Sequence, residues 1–264
     1  MSNYILGGWS QYLDAPAPAS FSYAIYGMVT NLTDLKTGVP PVETWHWSPA
    51  TTPPPASPGS VMWAYGGASC TPDAEPANQS AIDAINAATR DMGWAGVDFD
   101  DECKMNTGNI ALAMQKMAGL ETSYTFLAGW DYNNPTDAPD DKGRLINAAV
   151  AEIAQSGACQ RFCLMCYGEE MYSMPDIVAN VGPAIARTID HVGDPKKVIL
   201  ALTPAGLNAE NLAYFLDQVK SNNIGGLFVW EYSTLSPEDL NTIQTALNIE
   251  TPSSSHCRPM LTSE

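Results

Sequence analysis

The sequence predicts an α/β fold, a closed (β/α)8 TIM barrel, and three observations carry that prediction. From residue 61 onward, short β-prone runs alternate with segments of helical period. The runs are almost continuously apolar, as strands of a parallel sheet covered by helices are. The 264 residues suit one large barrel, and neither an internal repeat nor a linker divides them. One barrel domain is therefore expected over residues 1–250, followed by a C-terminal tail, 251–264, containing Ser253-Ser254-Ser255.

Tyr4 to Trp9 and Phe21 to Tyr26 read as the first two strands. Between them, Ser10 to Ser20 holds Pro16 and Pro18 and has no helical period. Asn31 to Ser60 is rich in proline, including Pro53-Pro54-Pro55, and is expected to be loop or polyproline-like. The first two helices are thus short or missing. The third strand, Val61 to Tyr65, runs into Gly66-Gly67. A helix then starts at Asn78, a suitable N-cap, with Ala81, Ile82, Ile85 and Ala88 at helical spacing. Trp94 to Phe99 is the fourth strand, followed by a helix bearing Ile110, Leu112, Met114 and Met117. Tyr124 to Ala128, Phe162 to Tyr167, Val198 to Leu202 and Gly226 to Trp230 complete eight strands. Helices follow them from about Lys142 to Ala154, Ile177 to Ile189, Asn208 onward and Pro237 to Leu247, giving six good helices in all. An open doubly wound sheet is the alternative, but it does not ordinarily need eight strands.

Hydrophobic residues make up 45% of the chain, enough for a sizeable core, and charged residues only 16%. The 29 Asp and Glu outweigh 12 Lys and Arg, a formal net charge of −17. Such a surface repels phosphate backbones and anionic lipid, which argues against nucleic acid and membranes as partners and leaves neutral sugars unpenalised. No apolar run approaches the roughly 18–20 residues that span a bilayer. Met1-Ser2-Asn3-Tyr4-Ile5-Leu6 lacks the features of a signal peptide, so an intracellular location is expected unless the chain begins at the mature end of a secreted protein. Cys159, Cys163 and Cys166 crowd one segment, while Cys70, Cys103 and Cys257 are scattered. With His46, His191 and His256 far apart, a zinc site has little support, and buried free thiols are the simpler reading.

The chemistry concentrates in Gly96-Val97-Asp98-Phe99-Asp100-Asp101-Glu102. Asp98, Asp100 and Glu102 are spaced by two, which on a strand points them to one face, with Asp101 directed away. Three acids on an inward face repel one another unless protons and hydrogen bonds relieve them. At the C-terminal end of a barrel strand, one carboxyl can stay protonated while a neighbour stays ionised. Spacing alone leaves three readings open: acid/base catalysis, a divalent metal site, or a strand that runs into an acidic loop.

The segment resembles the fourth-strand signature of glycoside hydrolase family 18, matched at Asp98, Asp100 and Glu102, and is similar to that of endo-β-N-acetylglucosaminidases of endoglycosidase H type. Three weaker matches follow in order. Tyr65-Gly66-Gly67-Ala68-Ser69 resembles the glycine-pair motif of strand three, Met165-Cys166-Tyr167 the Met-x-Tyr motif of strand six, and Trp230 the tryptophan that floors the sugar subsite. The resemblance implies a retaining, substrate-assisted hydrolase of β-1,4 bonds next to N-acetylglucosamine, in chitin or an N-glycan core, with no metal or organic cofactor. Glu102 would be the acid/base, Asp100 would orient the acetamido group, Asp98 would share a proton with Asp100, and Tyr167 would hydrogen-bond the acetamido carbonyl.

Around these, Trp9 and Trp130 end strands or follow them and are expected, with Tyr65, Met165 and Trp230, to bind substrate. Trp45-His46-Trp47 either offers an aromatic surface to a glycan or pins the proline-rich loop. Glu169, Glu170 and Glu231 follow strand ends and read as solvated charge. Three positions depart from the family pattern: Ala64 replaces Ser, Ala95 replaces the leading Asp, and Gly168 stands where Asp or Asn is usual. Their loss favours a second reading, a catalytically silent carbohydrate-binding or storage protein on the same barrel.

Overall fold

The structure is a computed structural model that describes residues 4–38, 47–71, 74–167 and 173–250. Eight strands form it: β1 (Ile5–Ser10), β2 (Tyr23–Val29), β3 (Ser60–Gly66), β4 (Gly96–Asp100), β5 (Glu121–Leu127), β6 (Arg161–Met165), β7 (Val198–Leu202) and β8 (Gly226–Trp230). Each pairs in parallel with the next, and β8 closes on β1. Side-chain alternation along these strands builds two cores. Ile25, Met62, Ala64, Cys163, Ile199 and Phe228 fill the lumen. Residues of opposite phase, among them Leu6, Tyr26, Trp63, Phe99, Phe126 and Leu200, face the helix layer.

The helices are α1 (Leu32–Thr37), α2 (Gln79–Met92), α3 (Thr107–Lys116), α4 (Trp130–Asn133), α5 (Lys142–Gln155), α6 (Met174–Val192), α7 (Ala209–Ser221) and α8 (Pro237–Leu247). The six long ones start on Asn78, Asn106, Asp141, Ser173, Asn208 and Ser236. Each of these side chains accepts from a first-turn N–H that would otherwise lack a partner. None of the described helices is long and apolar enough to cross a membrane.

The first quarter is depleted as expected: no helix joins β1 to β2, and α1 has six residues. Aromatic residues cover the sheet instead. Tyr26 and Tyr232 both donate their hydroxyls to the Ala15 carbonyl, each at 3.1 Å. Trp47 is buried against Trp94, with ring centroids 5.8 Å apart. The Trp94 indole N–H in turn reaches the carbonyls of Pro49 and Thr52, at 3.2 and 3.1 Å. Of the two readings of this segment, Trp47 therefore follows the second: it pins the loop. Trp45 and His46 lie outside the described residues, as does the tail from 251.

At the N-terminal end of β6, buried Arg161 projects inward. An unpaired guanidinium here would cost several kcal/mol. Glu121 pairs with it at 2.8 Å, and its guanidinium lies 4.0 Å from the Tyr23 ring centroid.

Candidate active site

Strand β4 turns Val97 and Phe99 to the helices and Asp98 and Asp100 to the lumen, where both are buried. Asp101 points the other way, as expected, and braces the following loop. Its carboxylate accepts from the Tyr124 hydroxyl at 2.9 Å and from the Met105 N–H at 2.8 Å. Gly66 and Gly67, with φ of +114° and +88°, make the close approach beside it. A Cβ on Gly66 would lie 2.0 Å from the Asp100 carbonyl oxygen, to which the Gly67 N–H donates at 2.8 Å.

Asp98 and Asp100 are equally hidden from water but differently held. Asp98 accepts from the Trp9 indole N–H at 2.8 Å, from the Ser123 hydroxyl at 2.6 Å, and from the Thr125 hydroxyl at 2.8 and 3.0 Å. Burial pushes its pKa up; these donors and the nearby Arg161 charge oppose that without cancelling it. Asp100 Oδ1 has no hydrogen-bond partner among the described residues. Burial drives its pKa well above the usual carboxylate range, and the charges of Glu102, Asp98 and Asp101 add to the effect. Glu102, past the strand end and half-buried, is also raised by burial; Lys142 opposes the shift and Asp101 reinforces it. The proton-holding end of the run is thus Asp100 and Glu102.

Tyr167 lies just beyond β6. Burial, then the negative field of Asp100, Glu102 and Asp98, holds its phenol firmly protonated, so it is a donor. With Met165 and Trp130 it lines a small hollow at the barrel mouth. Trp130 opens α4 and is 62% exposed. Trp230 ends β8 beside Trp9 and borders the lumen cluster.

Two expected substrate contacts take other positions. Tyr65 is fully buried on the helix side, its hydroxyl bonded to the Ala74 carbonyl at 2.5 Å, because it shares the outward phase of Trp63. Trp9 is in the lumen but 1% exposed, so its indole supports Asp98 and offers no sugar platform. Glu231 is likewise tied down, accepting from the Gln11 N–H at 2.6 Å. Glu169 and Glu170 lie outside the described residues.

The free-thiol reading fails for one pair. Cys70 and Cys103 form a disulfide with Cα atoms 5.6 Å apart, joining the loop after β3 to the residue following Glu102. Cys159, Cys163 and Cys166 are free and buried.

Ser123, Thr125, Arg161 and Lys142 were not singled out from the sequence. The first two repeat the inward phase of β5 opposite Asp98, which is the signal that marked them. They also answer the Ala64 departure: Ala64 is the β3 neighbour of Asp98, and the missing hydroxyl there is matched by two on the opposite flank. Among the described residues no three His, Cys, Asp or Glu side chains converge as a metal cage would.

No family sequence model matches the chain, and no curated protein is similar to it in sequence. Solved structures share its fold. The spore cortex-lytic enzyme SleL of Bacillus megaterium superposes with a TM-score of 0.63 at 10% identity, over 95% of this chain and 75% of that one. Active domain 2 of a thermostable chitinase from Pyrococcus furiosus, solved as catalytic-site mutants with chito-oligosaccharides, gives 0.62 at 11%, over 94% and 96%. A family 18 N-acetylglucosaminidase from Paenibacillus barengoltzii gives 0.61 at 11%, over 92% and 99%. The chain shares the (β/α)8 barrel fold of these structures.

Proposed function

We propose that the chain is a retaining glycoside hydrolase that cleaves β-1,4 linkages next to N-acetylglucosamine, with Glu102 as acid/base. The reading rests on one observation above all. A buried carboxyl with one oxygen unpartnered among the described residues, Asp100, lies between a fully hydrogen-bonded one, Asp98, and a half-buried acid with a raised pKa, Glu102. The shared fold of chitinases and an N-acetylglucosaminidase supports it.

In this mechanism Glu102 gives its proton to the glycosidic oxygen as the bond to C1 breaks. The substrate's own acetamido oxygen attacks C1, forming a cyclic oxazolinium cation, one of the exceptions to the two-carboxylate scheme. Asp100 Oδ1 accepts from the acetamido N–H and faces the positive charge as it forms. Tyr167 donates to the acetamido oxygen and aims it at C1. Water then adds to C1 and gives its proton to Glu102, which restores both the enzyme and the original anomeric configuration. Asp98, fixed by Trp9, Ser123 and Thr125, supplies the field against which Asp100 takes up or loses its proton. Trp230 and Trp130 provide apolar faces for sugar rings.

The test offers a fluorogenic chitobioside, chitotriose and a high-mannose glycoprotein to wild type and Glu102→Gln, with chelator present. Turnover that falls by roughly 10²–10⁴ in the variant and ignores chelator is expected. Sugar binding without any turnover in the wild type would instead identify a silent lectin-like barrel. The glycoprotein arm separates chitin from N-glycan substrates.

A further inference from the structure

A second concavity adjoins the acid. Between α3 and α5, outside the barrel wall, lies a cavity of ≈ 330 Å³, at the lower end of the volumes that take small molecules. Phe126 and Leu127 of β5 and Leu145, Ile146 and Ala149 of α5 give it apolar walls, and Glu102 lines it too. It shares Leu127, Lys142 and Ile146 with the hollow against Tyr167, so the two spaces adjoin.

Most of the neutral polar groups around it are already engaged, and the charged ends of Glu102, Lys104 and Lys142 lie at its rim. Thr107 donates its hydroxyl to Glu152, Asn106 caps α3, and Tyr124 and Asp101 bond each other. Lys142 faces Asp131 at 3.7 Å. A sugar entering here would meet mostly apolar wall and already bonded groups, so several of its hydroxyls would lose water unreplaced, at about 1–3 kcal/mol for each group left unpaired. An apolar group would gain about 25 cal/mol for each Å² removed from water. Because Glu102 is among its lining residues, the cavity lies within reach of an apolar group that leaves with the glycosidic oxygen Glu102 protonates.

We infer that the cavity between α3 and α5 receives an apolar leaving group, a one- or two-ring aryl or comparable alkyl aglycone, rather than another sugar. The leaving-group role rests on the glycosidase reading above, so the test includes a measurement that needs no turnover. Binding of free 4-methylumbelliferone, an apolar two-ring phenol, is titrated by fluorescence against wild type, Ala149→Phe and Leu145→Gln. Ala149→Phe fills the space, and Leu145→Gln wets its wall at a position 38% exposed, where the fold tolerates change. Each variant should weaken binding about tenfold, or 1.4 kcal/mol, with melting temperature retained. Absent binding in the wild type, or equal binding in a folded variant, overturns the site. For turnover, both variants should lower kcat/KM for the methylumbelliferyl chitobioside and leave chitotriose cleavage within about twofold. Equal losses on both substrates overturn the leaving-group assignment. Binding that follows the cavity while no glycoside is cleaved overturns the glycosidase reading and the leaving-group role with it, and leaves only an apolar site.

Discussion

Two acids of the run share a strand, a face and a depth, yet they are held differently. Asp98 and Asp100 sit on one strand, two residues apart, both at most 2% exposed. The lower one is surrounded by donors from β1 and β5; the upper one has an oxygen with none among the described residues. Burial alone therefore does not define a reactive carboxyl. What distinguishes the two is whether the protein has already replaced the water that burial removed. Asp98 is solvated by the barrel itself and behaves as part of its scaffold. On the function proposed above, Asp100 is left for a ligand to solvate.

The contrast can be broken at either end. The largest stability effect is expected from Asp98→Ala, which strands the Trp9, Ser123 and Thr125 donors together. Urea denaturation should show a loss of at least about 3 kcal/mol, and a loss below 1 kcal/mol would remove Asp98 from the scaffold.

Asp100→Asn should act in the opposite sense at neutral pH. The native chain keeps the Asp100 proton to higher pH than the unfolded chain, whose carboxylates titrate near pH 4. Between those limits the native state binds more protons, so the stability contributed is present at low pH and is lost as pH rises through the raised native pKa. Melting curves of Asp100→Asn should therefore lose much of the wild-type decline above about pH 4 and end higher at pH 7. A variant that melts below wild type at neutral pH contradicts this account of Asp100.

A smaller change sharpens the comparison. Thr125→Val keeps the shape and deletes the hydroxyl that contacts both Asp98 oxygens, and should cost about 1–3 kcal/mol. It should also make Asp98 harder to ionise, which carbon-13 NMR of the carboxyl can follow.

The smallest effect is expected at Lys142, whose side chain is 52% exposed. Its charge holds the Glu102 pKa down, so Lys142→Met should move the alkaline limb of the rate profile upward, and only slightly because solvent screens the pair. Added salt should reproduce part of that shift in the wild type.

Much of this was legible in the sequence, because periodicity fixes parity. Alternation in β4 separated Asp98 and Asp100 from Asp101, and six capped helices fell close to where their polar caps and apolar spacing put them. Parity also contained the answer for Tyr65, which is out of phase with lumen-facing Ala64, but the glycine-pair motif drew attention to the wrong side chain. Depth within the lumen was not legible. Trp9 is inward by phase, yet whether an inward indole meets substrate or Asp98 depends on strand stagger across 89 residues of separation. The Cys70–Cys103 bond was hidden for the same reason, since its partners meet only once β3 and β4 are paired and their loops fold over one end of the barrel. Ser123 and Thr125 look like ordinary strand residues until an acid is placed opposite them.

That disulfide also changes how the cleft is expected to meet a ligand. By tying the loop after β3 to the loop that carries Glu102, it makes two neighbouring walls of the mouth a single mechanical piece. Those walls have little configurational freedom left to surrender when a sugar arrives, so recognition on this side should be a docking onto a finished surface, with a correspondingly small entropic penalty.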